Sequence, residues 1–308
     1  MNRHPRPLLA TSTLLVALAA GACASAPGPA GEPPPGAAVT GTITLADGVP
    51  MAYESRGAGE TAVVFVHCWA CNREFWHGQV GAVADAGYRV VRLDLPGHGE
   101  SGSGRSEWSV GRLGADVAAA IEAMDLDRVV LVGHSMGGPV SVEAAARAPE
   151  RVVGIVCVDT LHDAELEWPE GMAESIAGQL EADYRGGLEA FVPRMFLADA
   201  DPALVEWVVD QGVETSDHAA TIALMRAMGD WDPRERLPAA GVPIFCVNAA
   251  PAGEQGLPTR VGTNRKYADY EAVTIEGVGH YLQLDKPWEL NQALLSALRA
   301  LDGLTGRR

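Results

Sequence analysis

Apolar residues form short continuous runs that alternate with longer stretches in which apolar positions recur every three to four residues. The short runs are typical of buried strands, and the longer stretches are typical of amphipathic helices. The pattern predicts strands over Val39–Leu45, Val49–Ser55, Ala62–Val66, Arg89–Leu93, Val129–Val132, Val152–Val158, Ile244–Val247 and Tyr270–Ile275, and helices over Arg73–Ala86, Val110–Met124, Met136–Ala148 and Trp288–Leu301. Asp47-Gly48 predicts a hairpin between the first two strands. The alternation predicts a mainly parallel sheet with helices on both faces.

Residues 163–232 interrupt this alternation because they contain no strand-like run and show helical periodicity instead. The helices predicted there are Met172–Tyr184, Leu188–Phe196, Pro202–Gly212 and His218–Met228. A long insertion in a compact fold is usually a lid or cap over a binding site. We therefore predict a core domain of residues 39–162 and 233–308 and a helical cap of residues 163–232.

The N-terminal segment has the features of an export signal. Arg3 and Arg6 precede an apolar stretch over residues 8–20, which is too short to span a bilayer. Small residues then lead to Cys23, and this run resembles a bacterial lipobox, in which the cysteine becomes the lipidated first residue. Plain cleavage at an A-x-A site is the alternative. We expect residues 1–22 to be a signal peptide and the protein to be exported.

Ala, Pro and Gly dominate the stretch that follows Cys23, so residues 23–38 are predicted to be a flexible tether. Contact with a membrane is expected only through the lipid anchor. The formal net charge of −17 argues against nucleic acid as a partner and against a polybasic membrane-binding patch. The charge pattern does not define an oligomeric state.

Four further cysteines fall within the predicted core domain. Cys157 and Cys246 lie inside apolar strand-like runs, so we interpret them as buried thiols. Cys68 and Cys71 have C-x-x-C spacing, which leaves a disulfide open. The sequence has neither a second cysteine pair nor a nearby histidine pair, so this spacing does not indicate a zinc site. The sequence implies neither a metal nor a cofactor.

The pentapeptide Gly133-His134-Ser135-Met136-Gly137 fits the pattern G-x-S-x-G and lies between a predicted strand and a predicted helix. That context is the one that a nucleophile elbow requires, since the turn must expose the serine hydroxyl at the edge of a sheet. Glycines before and after the serine allow a turn too tight for side chains. Ser135 is therefore the candidate nucleophile.

Three further segments extend this motif into a family pattern. They are Val64-Phe65-Val66-His67-Cys68-Trp69, Leu93-Asp94-Leu95-Pro96-Gly97-His98-Gly99-Glu100-Ser101 and Gly277-Val278-Gly279-His280. Together with the elbow they resemble the α/β-hydrolase family. The resemblance implies a doubly wound sheet of eight mainly parallel strands with an inserted helical cap. It also implies that His280 is the general base, while His162 and His218 are weaker alternatives.

The acid of the triad departs from the usual family pattern. The family most often places it just after the strand predicted over Ile244–Val247, but the residues that follow are Asn248-Ala249-Ala250-Pro251-Ala252-Gly253. A second family position lies at the end of the preceding strand, where this chain has Asp159. We therefore predict Asp159 as the acid, with Asp163 and Glu254 as alternatives. Asp94 belongs to a structural turn in relatives and is not expected to serve.

The resemblance also implies an oxyanion hole formed by the backbone N–H groups of Met136 and Trp69. Cys68 stands where the family normally has glycine, which puts the geometry of that loop in question. The expected function is hydrolysis of an ester or related acyl bond through an acyl-enzyme, as in a carboxylesterase, with a small hydrophobic acyl substrate. Two alternatives are a non-catalytic binding lipoprotein and a cofactor-free lyase or perhydrolase using the same triad.

Overall fold

A computed structural model describes residues 37–250 and 257–305 of the chain. The predicted signal peptide, Cys23 and the alternative acid Glu254 lie outside these described residues. Eight strands form one sheet in the order β1-β2-β4-β3-β5-β6-β7-β8. The first hairpin is antiparallel and joins β4 in antiparallel fashion, and all other pairs are parallel. This is the fold class that the sequence predicted.

The strands are β1 Val39–Thr44, β2 Pro50–Arg56, β3 Ala62–Val66, β4 Arg89–Leu93, β5 Val129–His134, β6 Val152–Val158, β7 Ile244–Ala249 and β8 Tyr270–Ile275. The helices are α1 His77–Asp85, α2 Val110–Ala123, α3 Gly137–Arg147, α4 Met172–Ala182, α5 Tyr184–Phe191, α6 Pro202–Thr215, α7 His218–Gly229, α8 Pro233–Ala240, α9 Val261–Asn264, α10 Leu282–Asp285 and α11 Pro287–Thr305. Two 3₁₀ turns, Arg73–Trp76 and Val192–Met195, precede α1 and follow α5.

Both faces of the sheet are buried, as the uninterrupted apolar strands require. On one face, Val63 and Phe65 of β3 pack with residues of α1 and α11. On the other face, Val64 of β3 and Leu131 of β5 pack with α2 and α3 and with the insertion between β6 and β7. Alternate residues of one strand therefore enter two separate apolar clusters, which is the geometry that a doubly wound sheet imposes.

The insertion between β6 and β7 contains helices α4 to α8. The predicted helix bounds differ most around α5. The helix predicted as Met172–Tyr184 ends at Ala182, and the segment predicted as Leu188–Phe196 divides into α5, which begins at Tyr184, and a 3₁₀ turn with Pro193 near its start. Proline has no backbone N–H to donate to the preceding helical turn, so the α-helix ends before it. Across residues 37–250 and 257–305, we find no helix with both the length and the apolarity needed to cross a membrane.

The parallel strands end at a common edge of the sheet, and the elements that follow them meet there. His67 follows β3, Ser135 follows β5 and Asp159 follows β6. The register pairs Gly133 with Cys157, so β5 and β6 reach this edge side by side. In open α/β sheets this edge is where ligands bind.

Candidate active site

Ser135 occupies a sharp turn between β5 and α3. Its backbone lies in the left-handed region with φ of 51°, which is unfavourable for a residue with a side chain. The Ser135 N–H donates to the carbonyl of Val158 at 3.0 Å, which ties the turn to β6. A side chain at Gly137 would overlap the backbone carbonyls of Val66 and His67. The glycine therefore lets the start of α3 approach β3 closely enough to form the turn.

His280 and Asp159 are brought together from distant parts of the chain. The Nδ1–H group of His280 donates to Oδ2 of Asp159 at 2.6 Å. The other carboxylate oxygen of Asp159 accepts the N–H of Ala249 at 2.8 Å. Burial raises the pKa of Asp159, but the His280 hydrogen bond and charge outweigh burial and hold that pKa below its ordinary value. The pair thus consists of an ionised acid bound to the Nδ1–H group at the edge of an imidazole.

Two further contacts fix the backbone of His280. Its N–H donates to the carbonyl of Met195, in the insertion, at 2.8 Å. Its carbonyl accepts the Nε2–H group of His134 at 2.8 Å, and Gln283 donates to the other ring nitrogen of His134 at 3.0 Å. Burial lowers the pKa of His134 to about 3, so this ring stays neutral and keeps one donor and one acceptor. His134 therefore links the serine turn to the His280 loop.

The loop after β3 contains the predicted oxyanion residue Trp69. Cys68 and Cys71 form a disulfide with a Cα–Cα distance of 5.4 Å, so the pairing that the sequence left open is present. Throughout the described part of the chain, the backbone N–H groups of Trp69 and Met136 have no hydrogen-bond partner. Both residues line the same cavity as Ser135. Their N–H groups are therefore available to a ligand oxygen.

Two buried histidines, His67 and His98, form hydrogen bonds with the backbone of this loop. The Nδ1–H group of His67 donates to the Cys68 carbonyl at 2.7 Å, and Nε2 of His98 accepts the Ala70 N–H at 3.2 Å. Burial lowers the pKa of His67 to about 4 and that of His98 to about 3. Both rings are neutral at pH 7, and Nε2 of His98 can accept the Ala70 N–H only in that form.

A cavity of about 520 Å³ adjoins Ser135, Asp159 and His280. Trp69 and Met136 also line it, as do apolar residues of the insertion: Leu166, Trp168, Phe191, Met195, Phe196, Met225, Met228 and Trp231. Two other large apolar residues of the insertion, Trp207 and Met172, do not line it. Trp207 packs instead against the ring of Phe75, with centroids 4.8 Å apart, and the Met172 side chain is exposed.

The other candidate acids have different surroundings. Asp163 lines the cavity, but one of its oxygens accepts the N–H of Glu165 at 2.9 Å. Asp94 is buried and accepts from Arg73 through both the backbone N–H and the guanidinium. This ion pair fits the structural role expected for Asp94. The alternative base His218 lies outside the cavity lining and stacks on Tyr184.

The alternative base His162 lies beside the predicted acid, and the bracing role of Asn248 was not identified from the sequence. Nε2 of His162 lies 3.5 Å from Oδ1 of Asp159. Asn248 is fully buried, and its Oδ1 accepts the N–H of Thr160 at 3.1 Å while its Nδ2 donates to Thr259 at 2.9 Å. Only the lack of a carboxylate after β7 pointed to this segment.

In the part of the chain that the structure describes, no cluster of three or more His, Cys, Asp or Glu side chains is arranged to hold a metal ion.

The chain is similar in sequence to several known proteins. A family model described as the alpha/beta hydrolase fold matches residues 61–196. A dihydrolipoyllysine-residue acetyltransferase component of an acetoin cleaving system from Pseudomonas putida is 30% identical over 257 residues, which are 80% of this chain and 66% of that protein. A non-heme chloroperoxidase from Streptomyces lividans is 37% identical over 123 residues, which are 39% of this chain and 45% of that protein. The chain thus spans less than two thirds of either relative.

Among solved structures, an esterase from Exiguobacterium antarcticum superposes with a TM-score of 0.74 at 21% sequence identity. The superposition covers 84% of this chain and 98% of the esterase. At this level of identity the likeness concerns the fold. Together with the matching family model and the eight-stranded sheet, it shows that the chain has the α/β-hydrolase fold.

Proposed function

We propose that this protein is a serine hydrolase that cleaves an ester or related acyl bond through an acyl-enzyme on Ser135. The observation that carries the proposal is the arrangement of Ser135, His280 and Asp159 around one cavity, with the His280–Asp159 hydrogen bond of 2.6 Å. Along the chain the nucleophile Ser135 comes first, the acid Asp159 second and the base His280 third, which is the order found in this fold.

In the proposed mechanism, the Ser135 hydroxyl attacks the carbonyl carbon of the substrate while Nε2 of His280 takes the hydroxyl proton. Asp159 holds the Nδ1–H tautomer of His280 and stabilises the imidazolium that forms. The oxyanion accepts hydrogen bonds from the backbone N–H groups of Trp69 and Met136. Collapse of the tetrahedral intermediate expels the alcohol, which receives the proton from His280. Water then releases the acid by the same steps.

The proposed substrate has an apolar acyl chain, because indole rings and methionine side chains of the insertion line much of the cavity. A volume of about 520 Å³ lies within the range of pockets that bind small ligands. Each methylene that enters such a cavity contributes about 0.8 kcal/mol of binding free energy. We expect kcat/KM for p-nitrophenyl esters to rise about fourfold per added methylene from acetate upward until the cavity is filled.

The decisive experiment compares wild type with Ser135→Ala on p-nitrophenyl butyrate. We expect the variant to lose at least three orders of magnitude in kcat, since the acyl-enzyme cannot form. A fluorophosphonate probe should label wild type at Ser135 and leave the variant unlabelled. Equal turnover by the two proteins would contradict the proposed function and favour a binding protein that has kept the fold.

Perhydrolysis is a second candidate for the same triad, and the similarity to a non-heme chloroperoxidase favours it. In that reaction hydrogen peroxide replaces water in the attack on the acyl-enzyme and yields a peracid. Adding peroxide and monochlorodimedone with bromide to an acetate-buffered assay would detect the peracid through halogenation. Halogenation that depends on Ser135 would support this activity, and its absence beside full esterase activity would exclude it.

We also propose that the protein is exported and lipidated on Cys23. The disulfide between Cys68 and Cys71 supports an oxidising compartment, because the cytosol keeps most protein thiols reduced. Expression of wild type and Cys23→Ala in a bacterial host, followed by fractionation and labelling with radioactive palmitate, tests this proposal. Labelling that persists in Cys23→Ala would refute lipidation at this residue.

A further inference from the structure

The disulfide between Cys68 and Cys71 closes a ring of backbone around Trp69 and Ala70. Both cysteines are buried, with exposed fractions of 3% and 1%, and Cys68 also lines the cavity beside Ser135. Part of the ring, Cys68 and Trp69, therefore forms a wall of the proposed active site. It contains one of the two N–H groups that we assign to the oxyanion hole.

The conformation inside the ring is unfavourable by itself. Ala70 has φ of 52°, in the left-handed region that residues with a side chain rarely adopt. A free tetrapeptide would relax from this conformation, and the direction of the Trp69 N–H would change with it. A covalent bond between the first and fourth residues removes most of the alternatives.

The remaining supports of the loop are non-covalent, and several come from the insertion. The indole Nε1–H of Trp69 donates to the Thr221 carbonyl in α7 at 2.7 Å. Asn72, next to the ring, donates to Gln211 and Thr215 of α6 at 2.8 and 2.9 Å. These bonds anchor a side chain and a neighbouring residue, whereas the disulfide constrains the peptide that carries the Trp69 N–H.

We propose that the Cys68–Cys71 disulfide is a positioning element of the oxyanion hole, and that reducing it lowers kcat without unfolding the protein. The proposal rests on the proposed function, because it assumes that the Trp69 N–H binds the oxyanion. A dithiol reductant such as dithiothreitol supplies the two electrons. Its thiolate attacks one cysteine sulfur to form a mixed disulfide, its second thiol closes to a cyclic disulfide, and Cys68 and Cys71 leave as thiols with two protons.

The first experiment measures kcat and KM of wild type on p-nitrophenyl butyrate before and after reduction with dithiothreitol, with the free thiols counted by alkylation and mass spectrometry. Reduction of this pair should lower kcat about tenfold and change KM less than twofold. An oxyanion donor that is lost outright costs a hundredfold or more, so a misplaced donor costs less. Reoxidation should restore kcat. A disulfide that resists reduction in the folded enzyme would overturn the redox dependence.

The second experiment uses the variant Cys68→Ser/Cys71→Ser, which should show the same fall in kcat and no further response to dithiothreitol. Its affinity for an alkyl boronic acid, whose adduct with Ser135 places an oxygen in the oxyanion hole, should fall about tenfold as well. Cys246→Ala is the matched control, because it removes a buried thiol distant in sequence from the loop. It should retain both the kcat and the dithiothreitol response of wild type.

The outcomes separate this proposal from the one on which it rests. A double variant with wild-type kcat and boronate affinity overturns the positioning role, while loss of turnover in Ser135→Ala leaves the hydrolase proposal intact. A double variant whose KM rises as much as its kcat falls, with a lowered melting temperature, also overturns it, since that result indicates a general structural role. If Ser135→Ala retains full turnover, the hydrolase proposal itself has failed.

Discussion

The two sides of Ser135 are stabilised by different chemistry. On the side of β6 and β7, the Asp159 carboxylate forms a charge-assisted hydrogen bond with His280. On the side of β3 and β4, neutral rings of His67 and His98 and a disulfide hold the loop of Trp69. The side of β6 and β7, which we call the charged arm, must accommodate a proton during the proposed reaction. The side of β3 and β4, which we call the neutral arm, must only keep the Trp69 N–H in place, and neutral hydrogen-bonding groups suffice for that.

The charged arm contains a second contrast, between the ends of neighbouring strands. Asp159 follows β6 and accepts the N–H of Ala249, and Asn248 near the end of β7 accepts the N–H of Thr160. Each side chain thus binds the backbone of the other strand. The carboxylate carries the charge, and the amide provides an equivalent brace without a second charge beside it. This explains how the chain can do without a carboxylate directly after β7.

The largest effect that tests this contrast is expected from Asp159→Asn. The amide cannot hold the Nδ1–H tautomer of His280 or stabilise the imidazolium, so kcat should fall about ten-thousandfold. Stopped-flow and steady-state assays with p-nitrophenyl butyrate measure the change, and circular dichroism checks the fold. Asp163→Asn, which changes a carboxylate lining the same cavity, should stay within twofold of wild type. A fall of less than tenfold in Asp159→Asn would show that another group serves as the acid.

We expect the buried histidine His98 of the neutral arm to make the stability of the protein depend on pH. Burial lowers the pKa of His98 to about 3 in the folded protein, whereas an unfolded histidine titrates near 6.5. As the pH falls below about 6.5, the unfolded state binds the proton and the folded state does not, so stability is lost. His98 alone should account for a loss of about 3 kcal/mol between pH 7 and pH 4.

Urea unfolding of wild type and His98→Gln at both pH values measures this contribution. Glutamine keeps an acceptor for the Ala70 N–H and does not titrate. Between pH 7 and pH 4 the variant should therefore lose about 3 kcal/mol less free energy of unfolding than wild type. His77→Gln changes an exposed histidine and should follow wild type. Identical pH dependence in wild type and His98→Gln would show that His98 is not held neutral by burial.

The two arms also differed in how far the sequence predicted them. Ser135 and His280 lie in motifs whose flanking elements were recognisable, since the apolar runs of β3, β4, β6 and β8 matched the observed strands residue for residue. Asp159 was predicted from the resemblance to the α/β-hydrolase family, which has a second position for the acid at this strand end. These features depend on local pattern and on strand order, and both are encoded in short stretches of sequence.

The supports of the neutral arm depend instead on tertiary packing between distant residues. The Ala70 N–H donates to His98 from another loop, and the Trp69 indole N–H donates to the Thr221 carbonyl of the insertion. The spacing of Cys68 and Cys71 permitted a disulfide but could not decide it, because a C-x-x-C pair forms one only when the backbone brings the sulfurs together. Strand ends were missed for a similar reason: β5 extends to His134 because that residue still pairs with β6.

A smaller effect is expected from the amide brace. Asn248→Ala removes the acceptor of the Thr160 N–H and the donor to Thr259, and so loosens the segment that carries Asp159. An unsatisfied buried group costs about 1–3 kcal/mol, and we expect kcat to fall about tenfold while KM is unchanged. Asn291→Ala removes an amide that donates to the Gly78 carbonyl and should keep wild-type kcat. An equal kcat in Asn248→Ala would show that β6 alone positions the acid.

The smallest effect is expected from His162, the second imidazole near the acid. Its Nε2 lies 3.5 Å from Oδ1 of Asp159, an oxygen that already accepts the Ala249 N–H at 2.8 Å. Burial lowers the pKa of His162, so this ring is neutral and does not compete with His280 for the carboxylate charge. His162→Gln should therefore change kcat by no more than about threefold, because a 3.5 Å contact to an oxygen that is already bonded is weak. The pH–rate profile should keep its shape. A fall of more than tenfold, or a shifted acid limb, would mean that Asp159 divides its charge between two histidines.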